Sequence, residues 1–192
     1  MFDDLNRTIE ALLRAELADD VVSQVSISFA TPDESFPPTG LSLPAINIFL
    51  FEIHENTQLR EFEASTDRRP DGSMVRVAPP ARVDCHYLIT AVAEATLGSE
   101  QDELRLLGAV LRVLLRYRVL PAAVLRGVLA GTTPPVRAAA VRHGMHPSGV
   151  EFWQSLKGKP RATLHYTLTV PVDTTLPETV GTPVTDLDVG AP

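Results

Sequence analysis

Two histidines stand three residues apart, at His143 and His146, and no other histidines lie so close together along the chain. A zinc-type site needs three or four ligands on a rigid frame. This pair falls in a Gly/Pro-rich turn with no cysteine and no carboxylate motif beside it, so it reads as a solvated loop. Cys85 and His86 adjoin and raise the question of a thiol nucleophile. In a strand, neighbouring side chains point to opposite faces, so the two diverge. A buried lone cysteine behaves as a small hydrophobe. Glu61 and Glu63 lie in a polar stretch where no desolvation tunes a carboxylate for acid–base work. His86 and His165 would need a shared pocket and a nucleophile, and the sequence supplies none. The chain has no GxxxxGK[ST], no GxGxxG and no GxSxG, which removes the common P-loop, dinucleotide and serine-hydrolase readings. No catalytic, cofactor or metal residue is expected.

The arginines offer a different chemistry. Arg105, Arg112 and Arg116 recur at spacings of seven and four, which places them on one face of a helix. The solvated side of an amphipathic helix accounts for that pattern. The other reading is a basic stripe that meets acidic neighbours, a role suited to the planar guanidinium. Arg68 and Arg69 stand in the turn-rich run Ser65–Ser73, which reads as a loop or hairpin tip.

These residues need elements to hold them, and composition sets what is available. The chain has 192 residues, 44% hydrophobic but only 6% aromatic, so Leu, Val, Ile and Ala must fill the core. Its net charge of −7 argues against nucleic acid, whose partners present basic surfaces. The most apolar stretch, Leu104 to Leu129, is interrupted by five arginines and is too charged to span a membrane. The acidic start, Phe2-Asp3-Asp4, is unlike a signal peptide. A cytoplasmic chain is the expectation.

The periodicity predicts a helix over 2–17, with Leu5, Ile9, Leu12 and Leu13 on one face, then a half-buried strand over 21–29. Residues 30–44 carry four prolines and read as a loop or arm. Residues 45–53 are apolar at nearly every position, as in a strand covered on both faces. Another central strand is expected over 82–91. Ser99 is the expected N-cap of a helix whose Leu104, Leu107, Val110, Leu111, Leu114 and Leu115 face inward. A shorter helix is expected from Pro121 to Leu129, a strand over 136–141, a short helix over 150–156 anchored by Phe152 and Trp153, and an alternating strand over 161–172. The expected fold is therefore one α/β (α+β) domain over residues 1–173, a mixed sheet flanked by helices. An extended or disordered tail, 174–192, follows it. Val180, Val184 and Leu187 are scattered along that tail. Alone it cannot offset its ordering entropy, but it could add to a neighbour as a strand.

Several segments together resemble a known family. They are Ile46-Asn47-Ile48-Phe49-Leu50-Phe51-Glu52 with Asn56 and Leu59-Arg60-Glu61, then Pro79 to Ala91 around Asp84-Cys85-His86-Tyr87. Glu103-Leu104-Arg105-Leu106-Leu107-Gly108 follows, and last Phe152-Trp153 with Leu156 and Lys159-Pro160-Arg161. Their order and spacing, over roughly residues 2–173, are similar to the cap or tail-terminator proteins of extracellular contractile injection systems. The resemblance implies a structural subunit with a tail-terminator-like fold and no active site. It implies a six-fold ring of copies of this chain at the distal end of the particle, in contact with inner-tube and sheath subunits. Another tail or baseplate adaptor subunit is the alternative. On this reading Arg68, Arg69, Arg105, Arg112, Arg116, Val180, Val184 and Leu187 are the expected contact residues.

Overall fold

The computed structural model describes residues 1–94, 98–141, 149–174 and 178–181. It is a mixed α/β fold built on a five-stranded mixed sheet flanked by helices, as the sequence predicts.

Helix α1 (Phe2–Glu16) buries Leu5, Ile9, Leu12 and Leu13 completely, one apolar stripe at helical spacing. Asp3 and Asp4 occupy its first turn and Arg14 its last, each sign matched to the helix dipole. The expected strand over 21–29 is shorter than predicted. Asp19–Val22 forms a single helical turn, α2, and only Ser26–Ser28 is strand β1. Two acids in the first turn favour that turn over an extended start.

β1 runs parallel to β2 (Ala45–Glu55), and β2 runs antiparallel to β5 (Ala81–Val92). β5 pairs in turn with β7 (Leu164–Val172), and β7 with the edge strand β6 (Arg137–Ala140). The order across the sheet is β1-β2-β5-β7-β6. A smaller sheet joins the hairpin β3 (Ser65–Arg68) and β4 (Met74–Val77) to β8 (Glu178–Gly181).

One face of the large sheet presents Ile46, Ile48, Cys85, Tyr87, Ile89, Tyr166, Leu168 and Val170 to α1 and to α3 (Ser99–Arg116). Tyr87 and Tyr166 stand opposite each other across β5 and β7, both fully buried, and carry much of the volume that a core poor in aromatics must find. Helix α3 is entered from Gly98 at φ +94°, not capped by the Ser99 side chain. A left-handed turn of this kind suits glycine, so Ser99 becomes the first helical residue. α3 buries Leu107, Val110, Val113 and Leu114, whereas Leu104 and Leu115 are 58% and 57% exposed. At 3.6 residues per turn those two leucines lie on the flank of the stripe and Val113 completes it.

The expected helix from Pro121 to Leu129 is two separate 3-10 turns, Ala122–Val124 and Gly127–Leu129. The chain is extended at Leu125 and Arg126 and takes φ +55° at Gly127. The break lets this segment bind α1. The Arg126 N–H donates to Thr8 Oγ1 at 3.1 Å and the Val128 N–H reaches Asp4 Oδ2 at 3.4 Å. Helix α4 (Gly149–Ser155) forms as predicted, with Trp153 only 4% exposed. The Phe152 side chain and the pair His143 and His146 lie outside the described residues. Among the described residues, no helix is long and apolar enough to cross a membrane.

Candidate assembly surfaces

The arginine stripe of α3 is divided by its partners. Arg105 pairs with Asp102 at 3.0 Å on the exposed surface. Arg116 pairs with Glu16 at the end of α1, and the Tyr117 hydroxyl donates to the same carboxylate at 2.7 Å. Arg112 between them is exposed and forms no salt bridge among the described residues. It lines a groove of about 430 Å³ between α2 and α3 with Asp20, Gln24, Asp102 and Arg105. Exposed pairs of this kind contribute little to stability, so the Asp102 pair does not fix Arg105 in place.

Arg68 and Arg69 sit at the exposed tip of the β3–β4 hairpin. The tip closes through Arg69 N–H to Ser73 O and Gly72 N–H to Arg69 O, each 2.9 Å, with Gly72 at φ +86°. Ser73 donates to Asp71 from both its hydroxyl and its backbone N–H, and those bonds hold the Asp71 carboxyl below its ordinary value. Val75 roots the hairpin at 3% exposure. Part of the expected tail joins this sheet: β8 pairs antiparallel with β4, Thr179 opposite Val75 and Gly181 opposite Met74. Val180 lies on that strand, while Val184 and Leu187 fall outside the described residues. The 30–44 loop begins against its own chain, where Asn47 Nδ2 donates to Ala30 O at 3.0 Å.

The sheet face turned away from α1 and α3 is polar yet buried. Asp84 accepts from Asn56 Nδ2 at 2.9 Å and from the Thr169 hydroxyl at 2.6 Å. Asn56 Oδ1 also caps the 3-10 turn Thr57–Leu59 by accepting from Leu59 N–H at 3.2 Å. Arg82 is 4% exposed, and its Nε and Nη2 have no hydrogen-bond partner among the described residues. Burial first, and the charge of Arg137 second, lower its pKa. Cys85 and His86 diverge as expected. Cys85 lies in the apolar core, where burial pushes its thiol up to about 12. His86 lies on the polar face, 3.0 Å from Thr167 Oγ1 and 3.3 Å from His54 Nε2. His165 reaches the same region, with the Phe51 ring 6.2 Å from His86 and 6.1 Å from His165. The hydroxyl beside His86 belongs to Thr167, itself 4% exposed.

Two features have no sequence signal of this kind. Phe62 is 83% exposed, with the Arg60 guanidinium 5.9 Å over its ring, on the strip between β2 and β3. A lone phenylalanine in a charged stretch gives no periodicity to read. Glu52 and His54 stand beside His86 because β2 carries a bulge at Phe51, and a register shift leaves no mark in composition.

Residues 4–186 match the family model described as the Pvc16 N-terminal domain. Two solved structures are similar along nearly the whole chain. One is the sheath/tube terminator of the PVC extracellular contractile injection system in its extended state. It superposes with TM-score 0.71 at 28% identity, over 100% of this chain and 63% of that one. The other is the tube-terminating cap of the anti-feeding prophage, with TM-score 0.67 at 27% identity, over 97% of this chain and 60% of that one. The chain thus spans less than two thirds of either. No curated protein matches it in sequence.

Proposed function

The chain belongs to the Pvc16 N-terminal domain family, and from that membership we propose that it is a cap subunit of a contractile injection system. In this role it ends polymerisation of the inner tube and joins the last sheath ring to it. The observation that carries the proposal is a similarity over the full length of this chain to a sheath/tube terminator. A tube-terminating cap with nearly the same coverage supports it. Catalysis has no part in this reading. The work is done by contacts, and a ring of six copies assembled in the cytoplasm is the form we assign to it.

The surfaces suit the task. Aromatic residues and arginine are enriched at protein interfaces, and Phe62 with Arg60 over its ring supplies both. Arg68 and Arg69 stand at the tip of a projecting hairpin, Arg112 on a groove. Residues 182–192 carry Val184, Asp186, Leu187 and Asp188, and in this proposal they add to a neighbouring subunit as a strand.

Imaging of particles from a strain lacking the protein tests the cap. Overlong tubes, or sheaths released from the tube, support it, and particles of normal length with attached sheath refute it. Truncation after Gly181 tests the tail separately. It leaves β8 on the hairpin, so loss of sheath attachment supports the tail contact and unchanged particles remove it.

A further inference from the structure

We propose that Glu52, His54 and His86 form a binding site for a divalent transition-metal ion, zinc above all. The bulge in β2 builds it. Before Phe51, Ile46, Ile48 and Leu50 point toward the helices and stand opposite Ala91, Ile89 and Tyr87. The extra residue at Phe51 shifts the register, so that Glu52 stands opposite His86 and His54 opposite Asp84. Bulges of this kind re-aim side chains. Here the shift turns Glu52 and His54 onto the polar face beside His86.

His54 Nε2 and His86 Nε2 are 3.3 Å apart. Their ring centroids are 4.6 Å apart at an interplanar angle of 28°, so the rings stack at a shallow tilt. Two nitrogens each about 2.0–2.1 Å from a tetrahedral ion lie about 3.3–3.4 Å apart. The pair is already spaced as two ligands of one ion. A potential ligand atom of Glu52 lies within 4.8 Å of one on each histidine, and its Oε1 is 3.9 Å from His54 Nδ1.

Thr167 supplies the support that a ligating histidine needs. With His86 Nδ1–H donating to Thr167 Oγ1 at 3.0 Å, the Nε2 lone pair is turned to the ion. Metal-bound histidines almost always donate their other ring N–H to a carboxylate, backbone carbonyl or water, and here the Thr167 hydroxyl takes that place. Two imidazoles and a carboxylate leave a fourth position for water and suit zinc, cobalt or nickel better than calcium or magnesium. The Glu52 and His54 side chains are 46% and 39% exposed, so the ion enters from solvent and is held against buried His86. Bound there, it clasps β2 to β5 just before the strip that carries Phe62.

Untagged, chelator-treated full chain is titrated with zinc chloride by calorimetry, and with cobalt chloride while visible absorption is read. One ion per chain and a tetrahedral cobalt band are expected. His54→Asn, at a part-exposed position that leaves the fold intact, and His86→Asn should each weaken binding at least about 10-fold. The double variant His143→Asn/His146→Asn, which alters the other histidine pair, should bind as before. Absence of saturable binding overturns the proposal. So does binding that survives His54→Asn, or binding that disappears with His143 and His146.

Discussion

Asn56 Nδ2 donates to Asp84 Oδ2 at 2.9 Å, joining the residue that follows β2 to the buried middle of β5. The Thr169 hydroxyl takes the other carboxylate oxygen at 2.6 Å. One side chain thus ties three parts of the polar face, and Arg82 lies close enough to feel its charge. Asp84→Ala would strip two donors of their acceptor and leave buried Arg82 with less compensation. Removing a partner from a buried polar group is the costly case. The expected loss is about 2–4 kcal/mol in denaturant unfolding. A double-mutant cycle with Asn56→Ala should show coupling, because the two changes remove one bond.

Gly127 faces Asp4 with no room to spare. A Cβ there would lie 2.1 Å from Asp4 Oδ1, and φ is +55°. Gly127→Ala meets both a clash and a left-handed backbone that alanine adopts poorly. A destabilisation of about 2–3 kcal/mol is expected, read as a melting-point drop of roughly 4–12 °C for a chain of this size. Asp4→Ala added to Gly127→Ala should recover the steric part and leave the backbone part.

The stripe on α3 separates into a structural and an assembly component. Arg116→Glu sets a carboxylate beside Glu16 and removes the ion pair linking the ends of α1 and α3, so it should lower stability slightly, by about 1 kcal/mol or less, and lower assembly with it. Arg112→Glu should leave the melting curve within about 0.5 kcal/mol, as surface changes do, yet reduce incorporation into particles. Unchanged incorporation would make the stripe a solvated face only.

Cys85 gives a pH dependence. Burial raises its thiol from 9.0 to about 12. A folded-state pKa above the unfolded one stabilises the fold fully at neutral pH. That stability falls as pH rises past about 9, where the unfolded thiol ionises first, and is lost as pH passes the folded value. A thiol reagent at pH 8 should therefore label the native chain far more slowly than the chain in denaturant. Equal rates would place Cys85 outside the core.

The central strands and both long helices were legible because one-dimensional patterns carry them. Ala45–Ile53 is apolar almost throughout, Arg161–Val172 alternates, and Leu5, Ile9, Leu12 and Leu13 keep helical spacing. What was not legible depends on residues far apart in the chain. The helix expected from Pro121 breaks at Leu125 and Arg126, where Asp4 and Thr8 of α1 take that segment's N–H groups. Glu178–Gly181 reads as tail until β4 supplies its pairing edge. The bulge at Phe51 brings Glu52 and His54 to His86, and no local pattern announces it. The segments that resemble a cap family hold contacts in place: Asn56 with Asp84, and Glu103 with Arg161 at 2.7 Å. Their spacing could be recognised before their geometry was known.

The central claim is tested most directly by a cryo-EM reconstruction of both ends of intact particles. The account predicts this fold as a ring of six copies at the end distal to the baseplate, seated on the last tube ring and touching the last sheath ring. The same fold found at the baseplate, repeated along the shaft, or missing from both ends would contradict it.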